Sequence, residues 1–333
     1  MLAYIVRRLA FGFATVLGVL GVLFVLFFAV ADPDEMAIRA IGERASPETY
    51  TAWKRNHGYD KPLIINTEHD WTSIDRYTDT LLIEHYERML SFRFGRSDSD
   101  DTPIWTRIRE GAGPSLSLTL PLFVIGLLVA VALSLAVAFF RSTYIDRSVL
   151  VICMLGMSVA SLIYIIGGQY LIGKLLRWFP ISGFDTDPSV IARFLAIPIL
   201  IGVLAEFGGT VRLYRTVFLE EVNRDYVRTA RAKGCGEIRV MIHHVLRNAL
   251  LPIITNVVLA IPFLFIGSIL FESFFGIPGL GALTVEAING NDFSTLRTIV
   301  YIGALLYILG QILTDICYSL ADPRVRLGGG AGG

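Results

Sequence analysis

Six long apolar runs, separated by polar segments of unequal length, dominate the pattern of this chain. A helix needs about 20 apolar residues to cross roughly 30 Å of hydrocarbon, and most of the runs reach that length. Helices satisfy their own backbone hydrogen bonds, which lipid cannot do for them. The pattern therefore predicts an all-α, polytopic membrane protein with six transmembrane helices, over residues 9–31, 116–140, 148–172, 194–211, 249–271 and 298–318.

The composition agrees with this class. Hydrophobic residues make up 54% of the chain and charged residues only 17%, values unlike those of a soluble domain. The basic residues lie beside apolar runs without an aromatic platform between them, so no nucleic-acid partner is expected and the lipid bilayer is the main one. Cys153 and Cys317 fall within apolar runs and Cys235 in a polar segment, so no disulfide is expected.

The first apolar run has two interpretations. Arg7 and Arg8 precede it, and the small residues Ala29 and Ala31 are typical of a cleavage site. Its length exceeds the roughly 7–15 residues usual for the core of a signal peptide. We therefore expect a retained first transmembrane helix, with a removed signal peptide as the alternative.

Basic residues in the short connections predict the orientation. The positive-inside rule places both termini and the connections at 141–147 and 212–247 in the cytoplasm. The latter carries eight basic and four acidic residues, a net charge of +4. Residues 31–114 carry 11 basic and 16 acidic residues, a net of −5, and form a large external segment after helix 1. Within it we expect helices over 46–56, with Ser46 as the N-cap and Pro47 first, and over 74–90.

A polar segment, residues 225–252, lies between the fourth and fifth apolar runs and reads DYVRTARAKGCGEIRVMIHHVLRNALLP. A helix from Asp225 should stop at Gly234, and Glu237 should begin a second helix toward Asn248. Apolar Val227 and its neighbours among arginines predict an apolar anchor with a basic rim, suited to a cleft on another protein. The alternatives are a simple positive-inside anchor and a membrane-surface helix; interspersed acidic residues disfavour the latter.

This segment resembles the cytoplasmic EAA loop through which membrane subunits of binding-protein-dependent ABC importers dock onto their ATPases. DYVRTARAKG and LRNALLP resemble the oligopeptide/dipeptide (and nickel) permease subfamily in particular, although the family's acidic-Ala-Ala word here reads Arg228-Thr229-Ala230. Other words of the chain resemble the same subfamily: GYDKPL at 58–63, FGRS at 94–97, FPISGFD at 179–185, and the segments 267–293 and 315–326. Residues 65–83 make the external segment longer than the family pattern.

The resemblance implies a bacterial inner-membrane permease that works with a second homologous permease subunit, two ABC ATPase subunits or one fused protein, and an extracytoplasmic solute-binding protein. The chain itself is then not an enzyme and binds no cofactor; ATP and Mg²⁺ are expected on the partner ATPases. The residues assigned to ATPase docking are Asp225, Tyr226, Arg228, Ala230, Ala232, Lys233, Gly234, Gly236 and Arg239.

Two further groups of residues are candidates on the transport route. Residues 272–281, with Glu272, Pro278, Gly279 and Gly281, are expected to form a bent, partly re-entrant external gate, with an ordinary tight loop as the alternative. Polar residues within the apolar runs either line the pathway or bond between helices: Ser158, Ser161, Gln169, Asn256, Ser268 and Gln311. Glu206 and Asp315 are expected to pair with Arg212 or Arg324 at the membrane boundary.

The sequence predicts neither a catalytic nor a metal site. Gly168, Gly173 and Lys174 superficially match a P-loop, but Leu175 replaces the hydroxyl residue that holds Mg²⁺ and no strand precedes it. His243 and His244 are adjacent and lack the i, i+4 spacing of a helical zinc pair.

The predicted organisation is a first helix (1–31), an external segment (32–114), a permease core (115–326) containing the docking loop (212–248), and a glycine-rich tail (327–333). The expected function is that of a membrane subunit of an ATP-driven peptide importer, with nickel or another small solute as the alternative cargo. A secondary transporter would need charged coupling sites at the membrane midplane and internal repeats, and neither is present. A non-transport receptor would be distinguished by its failure to copurify with an ATPase.

Overall fold

The computed structural model describes residues 2–30, 33–42, 44–57, 59–66 and 75–321, which are largely helical and form no β-strand. Three π-helical stretches, Val25–Val30, Gln169–Leu175 and Val240–Leu246, continue α1, α8 and α11. The helices are α1 Leu2–Phe24, α2 Pro33–Ile41, α3 Pro47–His57, α4 Asp75–Thr78, α5 Leu81–Leu90, α6 Ile104–Phe139, α7 Tyr144–Met157, α8 Ser161–Gly168, α9 Pro188–Val222, α10 Asp225–Ala232, α11 Glu237–Arg239, α12 Arg247–Ile266, α13 Ile269–Phe275, α14 Leu280–Asn289 and α15 Phe293–Ala321.

Five stretches of helix within the described residues are long and apolar enough to cross a membrane. They are Val6–Phe28, Ile104–Phe139, Val190–Val222, Glu237–Ile266 and Phe293–Asp315. Two pairs of shorter apolar helices, α7 with α8 and α13 with α14, are each broken within four residues, and they raise the number to seven if each pair is one span. The chain is therefore a helical polytopic membrane protein, as predicted; the expected total of six stays a prediction.

The third predicted span is not one continuous helix. Helices α7 and α8 meet at an angle of 91°, because the backbone turns at Ser158 and becomes extended at Ala160. The Tyr164 hydroxyl donates to the Gly156 carbonyl at 2.9 Å, so a carbonyl at the end of α7 keeps a partner. The prediction of an uninterrupted helix over 148–172 is wrong, since apolar residues continue through a break that hydropathy does not detect.

The predicted helices between α1 and α6 are confirmed in one case and corrected in the other. Helix α3 begins at Pro47, and the Ser46 hydroxyl accepts from the backbone N–H of Thr49 at 3.3 Å. The helix predicted over 74–90 is two helices, α4 and α5, since Thr80 has extended backbone and caps α5. The N-cap residue Thr80 thus divides the predicted helix into two.

The chain forms two compact units. The first comprises Met1–Gly113 and Gly279–Ile312. Its core packs the end of α1 against α5 and α15, with Leu20, Met89 and Tyr301 among its fully buried side chains. The Tyr86 hydroxyl donates to the Leu17 carbonyl at 2.9 Å, which fastens α5 to α1. The segments predicted from the sequence, 1–31, 32–114, 115–326 and 327–333, have other boundaries than these two units and stay a prediction.

The second unit comprises Pro114–Pro278 and Leu313–Gly333. Its main core surrounds α9 and includes Val211, Phe218, Val227 and Val245. Helices α7 and α9 are in close contact: a Cβ on Gly208 would lie 2.5 Å from the Cys153 carbonyl oxygen. Glycine at this position therefore permits the approach.

Some predicted features lie outside the described residues. These are Gly58 of the GYDKPL word, residues 67–74 of the longer external stretch, and residues 322–333, which include Arg324 and the glycine-rich tail. For Cys317 the backbone is helical and its side chain is not described.

Candidate docking site

The predicted docking segment forms a short helix, a glycine turn and a second helix. Helix α10 begins at Asp225 after the extended residue Arg224 and ends at Ala232. Gly234 has φ +81°, and the N–H groups of Gly234 and Cys235 donate to the carbonyls of Arg231 and Ala230. A left-handed glycine of this kind ends helices because it carries no Cβ penalty. The predicted stop at Gly234 is confirmed.

The apolar residues of α10 face inward. Val227 is fully buried and Ala230 is 6% exposed, and both pack into the core of the second unit with Val240 and Met241. The apolar anchor expected here is therefore used within the chain itself. Ala230, predicted as a docking contact, is a buried residue that holds α10 in place.

The outward face of the segment is polar and includes most of the predicted docking residues. The side chains of Asp225 and Arg228 are 95% and 74% exposed and lie 3.5 Å apart. Tyr226 is half-buried, and the remaining predicted residues are exposed: Ala232, Lys233, Gly234, Gly236 and Arg239. A cationic surface with small residues at the turn is what the structure offers to a partner.

Two contacts link this surface to the neighbouring helices. The Arg231 guanidinium donates from Nε and Nη2 to the two carboxylate oxygens of Glu237, at 2.8 and 3.2 Å, across the glycine turn. The Tyr226 hydroxyl donates to Glu221 Oε2 at 2.5 Å. Burial, followed by this bond to Glu221, raises the pKa of Tyr226 to about 12. Both ends of α10 are thus fastened to neighbouring helices.

The second helix of the segment differs from the prediction. It begins at Glu237 as expected but does not stop near Asn248, because α11, the stretch Val240–Leu246 and α12 form one uninterrupted helix to Ile266. The predicted loop and the predicted fifth span are one element.

Glu272, predicted to belong to an external gate, is buried in a polar cluster of the second unit. Its Oε1 accepts from the Ser115 hydroxyl at 2.8 Å and from the Ser268 backbone N–H at 3.0 Å. Gly267 has φ +77°, and a Cβ there would lie 2.2 Å from Glu272 Oε1. Glu272 thus organises the start of α13 and is inaccessible to a ligand in this conformation.

Helix α13 ends at Gly276, which is left-handed at φ +65°. The carbonyl of Phe275 accepts from the Gly183 N–H at 2.7 Å, and that of Phe274 accepts from Gln169 Nε2 at 2.8 Å. The chain then passes through Pro278, and Gly279 precedes α14, in which Gly281 is buried. A break in helical structure over 276–279 is what the glycines predicted; its position in a membrane stays a prediction.

Several candidate pathway residues have local bonds. The Ser158 hydroxyl donates to the Met154 carbonyl of its own helix, and Gln311 Nε2 donates to the Tyr307 hydroxyl at 3.0 Å. Ser268 caps α13, and Gln169 bonds to Phe274. Ser161 is exposed and Asn256 is partly exposed. Their role in a pathway stays a prediction.

The structure also bears on the ionisable residues. Within the described residues Glu206 forms no ion pair with Arg212, so that predicted pair is absent, and Asp315 keeps a polar interaction of its own. Gly173 and Lys174 lie in a helical stretch, which is not the setting of a P-loop. In the described part of the chain no three His, Cys, Asp or Glu residues are grouped as metal ligands would be.

Sequence reasoning missed a buried polar network in the first unit. Asp292 precedes α15 and accepts from the Thr295 N–H at 3.0 Å, the Asp98 N–H at 3.0 Å and the Ser97 hydroxyl at 2.5 Å. Asp98 accepts from the backbone N–H and the hydroxyl of Ser294, both at 2.8 Å. Two carboxylates therefore cap one helix, where its dipole favours negative charge. The FGRS word at 94–97 and the segment 267–293, which contains Asp292, are separate signals in the sequence, and nothing in the sequence joins them.

Long apolar helices joined by a polar, glycine-containing surface segment define an integral membrane protein. Comparison with known protein families identifies which kind of membrane protein this is. Residues 115–327 match the model of the binding-protein-dependent transport system inner membrane component, and residues 1–119 match the model of its N-terminal part. The chain belongs to this family of inner-membrane transport components.

Relatives align along almost the whole chain. A putative peptide transport system permease protein of Brucella abortus is 32% identical over 330 residues, covering 98% of this chain and 99% of the relative. A probable peptide ABC transporter permease protein of Sinorhizobium fredii is 28% identical, covering 97% and 99%. The oligopeptide transport system permease protein AppB of Bacillus subtilis is 29% identical, covering 98% and 100%.

Proposed function

We propose that this chain is a membrane-spanning subunit of an ATP-driven importer that carries peptides delivered by a solute-binding protein. Family membership supports the transport role, and the names of the Brucella, Sinorhizobium and Bacillus relatives support peptides as the cargo. The proposed topology has six crossings with both termini in the cytoplasm. The proposed partners are a second homologous permease and two ATPase subunits, which bind the ATP and Mg²⁺ that this chain does not.

One geometric observation carries the proposal: the exposed turn at Gly234 leads, through Glu237, into an uninterrupted helix that ends at Ile266. Closure of the ATPase subunits would press on the turn and shift this helix, so that the bundle alternates between inward-open and outward-open arrangements. The exposed cationic residues Arg228, Lys233 and Arg239 would contact the ATPase.

The coupling test is a Gly234→Val substitution in the complex reconstituted with its ATPases and binding protein. The left-handed backbone of Gly234 disfavours a β-branched residue, so the turn must change shape. We expect membrane insertion and ATP hydrolysis to persist while peptide uptake falls. Gly42→Val is the matched control, because Gly42 also has positive φ and open space around it but lies far from the docking segment in sequence. Normal uptake by the Gly234 variant would refute the docking role.

Orientation is tested separately. Lys233→Cys in a Cys235→Ser background should react with a membrane-impermeant maleimide only in inside-out vesicles. Reaction in right-side-out vesicles would contradict the cytoplasmic assignment. The cargo is tested by titrating the cognate binding protein with peptides and with Ni²⁺, the alternative cargo, where saturable binding of Ni²⁺ alone would overturn the peptide assignment.

A further inference from the structure

The first unit contains a cavity of about 390 Å³ whose wall has more basic than acidic side chains. Four arginines line it, Arg88, Arg93, Arg96 and Arg297, against two acidic residues, Glu84 and Asp101. The volume lies within the range of small-molecule sites. Every lining residue belongs to the first unit, so the cavity is a feature of that unit alone.

Both acidic residues of the wall already have cationic partners. Glu84 is paired with Arg88 and with Lys61, the latter at 3.1 Å. Asp101 is paired with Arg96 at 3.0 Å. Two of the four arginines, Arg93 and Arg297, therefore have no ion-pair partner among the described residues.

Arg297 is the more informative of these two. Arg297 is only 7% exposed, and its Nε and Nη1 groups have no hydrogen-bond partner in the described part of the chain. The guanidinium lies over the ring of Phe28, 4.6 Å from the centroid, which shields one face. Burial of a charged donor without a partner is costly. A cation in this condition is what a ligand with acceptor oxygens would satisfy.

The other polar neighbours of Arg297 leave its Nε and Nη1 groups without a hydrogen-bond partner in the described part of the chain. Asp98 is near enough to interact electrostatically with Arg297, but its hydrogen bonds come from Ser294 and it does not line the cavity. The Tyr59 hydroxyl is within 2.9 Å of the Ser294 hydroxyl and also interacts with the Arg297 guanidinium, but not through a hydrogen bond from Nε or Nη1. His85 has its Nε2 at 3.3 Å from the Leu20 carbonyl. Burial, with Arg297 next in effect, lowers the pKa of His85 to about 3, so this neighbour is neutral at physiological pH.

The rest of the wall indicates what kind of anion would fit. Phe28, Leu81, Met89 and Phe94 give it an apolar side. A bare inorganic anion would leave that side empty, whereas an organic acid would place hydrocarbon there and its carboxylate beside the arginines. A planar guanidinium also matches the geometry of a carboxylate.

We propose that the cavity beside Arg297 is a binding site for a small organic anion, held through its carboxylate by Arg297 and Arg93. The source is either a free organic acid or the carboxyl terminus of a short peptide, which present the same group. The site is separate from the docking segment, and binding to the isolated chain does not depend on transport.

The test is calorimetric titration of the purified full-length chain in detergent micelles with butyrate and with its uncharged isostere butyramide. We expect saturable binding of butyrate and none of butyramide. A second titration compares N-acetyl-dialanine with its C-terminal amide. Tighter binding of butyrate indicates a free organic acid as the natural ligand, and tighter binding of N-acetyl-dialanine indicates the carboxyl terminus of a peptide. Equal binding of acid and amide in both arms, or tighter binding of sulfate than of butyrate, would overturn the proposal.

Three variants assign the site. Arg297→Gln should weaken carboxylate binding by about tenfold, as expected for loss of a charged hydrogen bond. Arg93→Gln, at an exposed residue that folding tolerates, should weaken it by about threefold and keeps the test valid if the first variant is unstable. Arg109→Gln is the control, since Arg109 is an exposed arginine of α6 outside the cavity. Unchanged affinity in the Arg93 and Arg297 variants would contradict the assignment.

Discussion

Arg231 and Glu237 form a two-bond ion pair that closes the glycine turn between α10 and α11, with N–O distances of 2.8 and 3.2 Å. The turn contributes one partly buried side chain, Cys235, so this pair and the inward packing of Cys235 and α10 hold the angle between the two helices. The docking surface is thus a preformed shape, which reduces the entropy that a partner must remove on binding.

A double-mutant cycle of Arg231→Gln and Glu237→Gln should give a coupling free energy of no more than about 1 kcal/mol, since both side chains are partly exposed to solvent. Unfolding of the purified chain in detergent measures it. Asp225 and Arg228 are a matched control, because they pair in the same segment at 3.5 Å with greater exposure and should show coupling near zero. Equal coupling in the two pairs would contradict a bracing role for Arg231.

Val227→Ala should lower the free energy of unfolding by about 2 kcal/mol, because it removes buried methyl groups and leaves a cavity beneath α10. Thermal unfolding in micelles measures the change. Thr229→Ala, at an exposed position of the same helix, should have little effect. A Val227 variant as stable as the parent would mean that α10 does not pack inward.

Gly267→Ala should destabilise the second unit by about 2–4 kcal/mol for two reasons. The added Cβ would collide with the Glu272 carboxylate, and alanine disfavours the positive φ of this position. Gly42→Ala controls for the backbone alone, since Gly42 has φ +91° and nothing within 4 Å; it should cost about 1–2 kcal/mol. Denaturation of both variants measures the difference. Equal losses would show that the Glu272 cluster tolerates the added methyl group.

His85 should make the stability of the first unit depend on pH. Its pKa is about 3 in the folded protein, lowered by burial, and near 6.5 when unfolded. As the pH falls, His85 is therefore protonated in the unfolded chain before it is protonated in the folded one. The free energy of unfolding that neutral His85 contributes above pH 6.5 is lost as the pH falls toward 3. His85→Asn should flatten that part of the profile of melting temperature against pH. A profile identical to that of the parent would contradict the buried neutral state.

Much of the fold follows from local signals in the sequence. Long apolar runs predicted the spanning helices, Ser46 with Pro47 predicted the start of α3, and Gly234 predicted the end of α10. Each depends on residues close together in the chain. Local signals failed at Ser158–Ala160, where a bend occurs inside an apolar run, and at Asn248, where a helix continues from a polar segment into an apolar one.

The helix and glycine turn of the predicted docking segment follow from the sequence, but which face of α10 is buried does not. Helical periodicity placed Val227 and Ala230 on one face, yet only tertiary packing decides whether that face meets a partner protein or the chain's own core. The polar network around Asp98 and Asp292 could not be predicted, because these two residues are 194 positions apart in the chain and an isolated aspartate in a sequence is typical of an exposed position.

This separation has a consequence for biosynthesis. At about 5–20 residues per second, a ribosome makes Asp292 roughly 10–40 s after Asp98. Throughout that interval the amino-terminal part of the first unit lacks α14 and α15, and with them the core residue Tyr301. A truncated chain ending before Gly279 should consequently remain protease-sensitive around Phe94, and the full-length chain should acquire resistance there only after translation has passed α15.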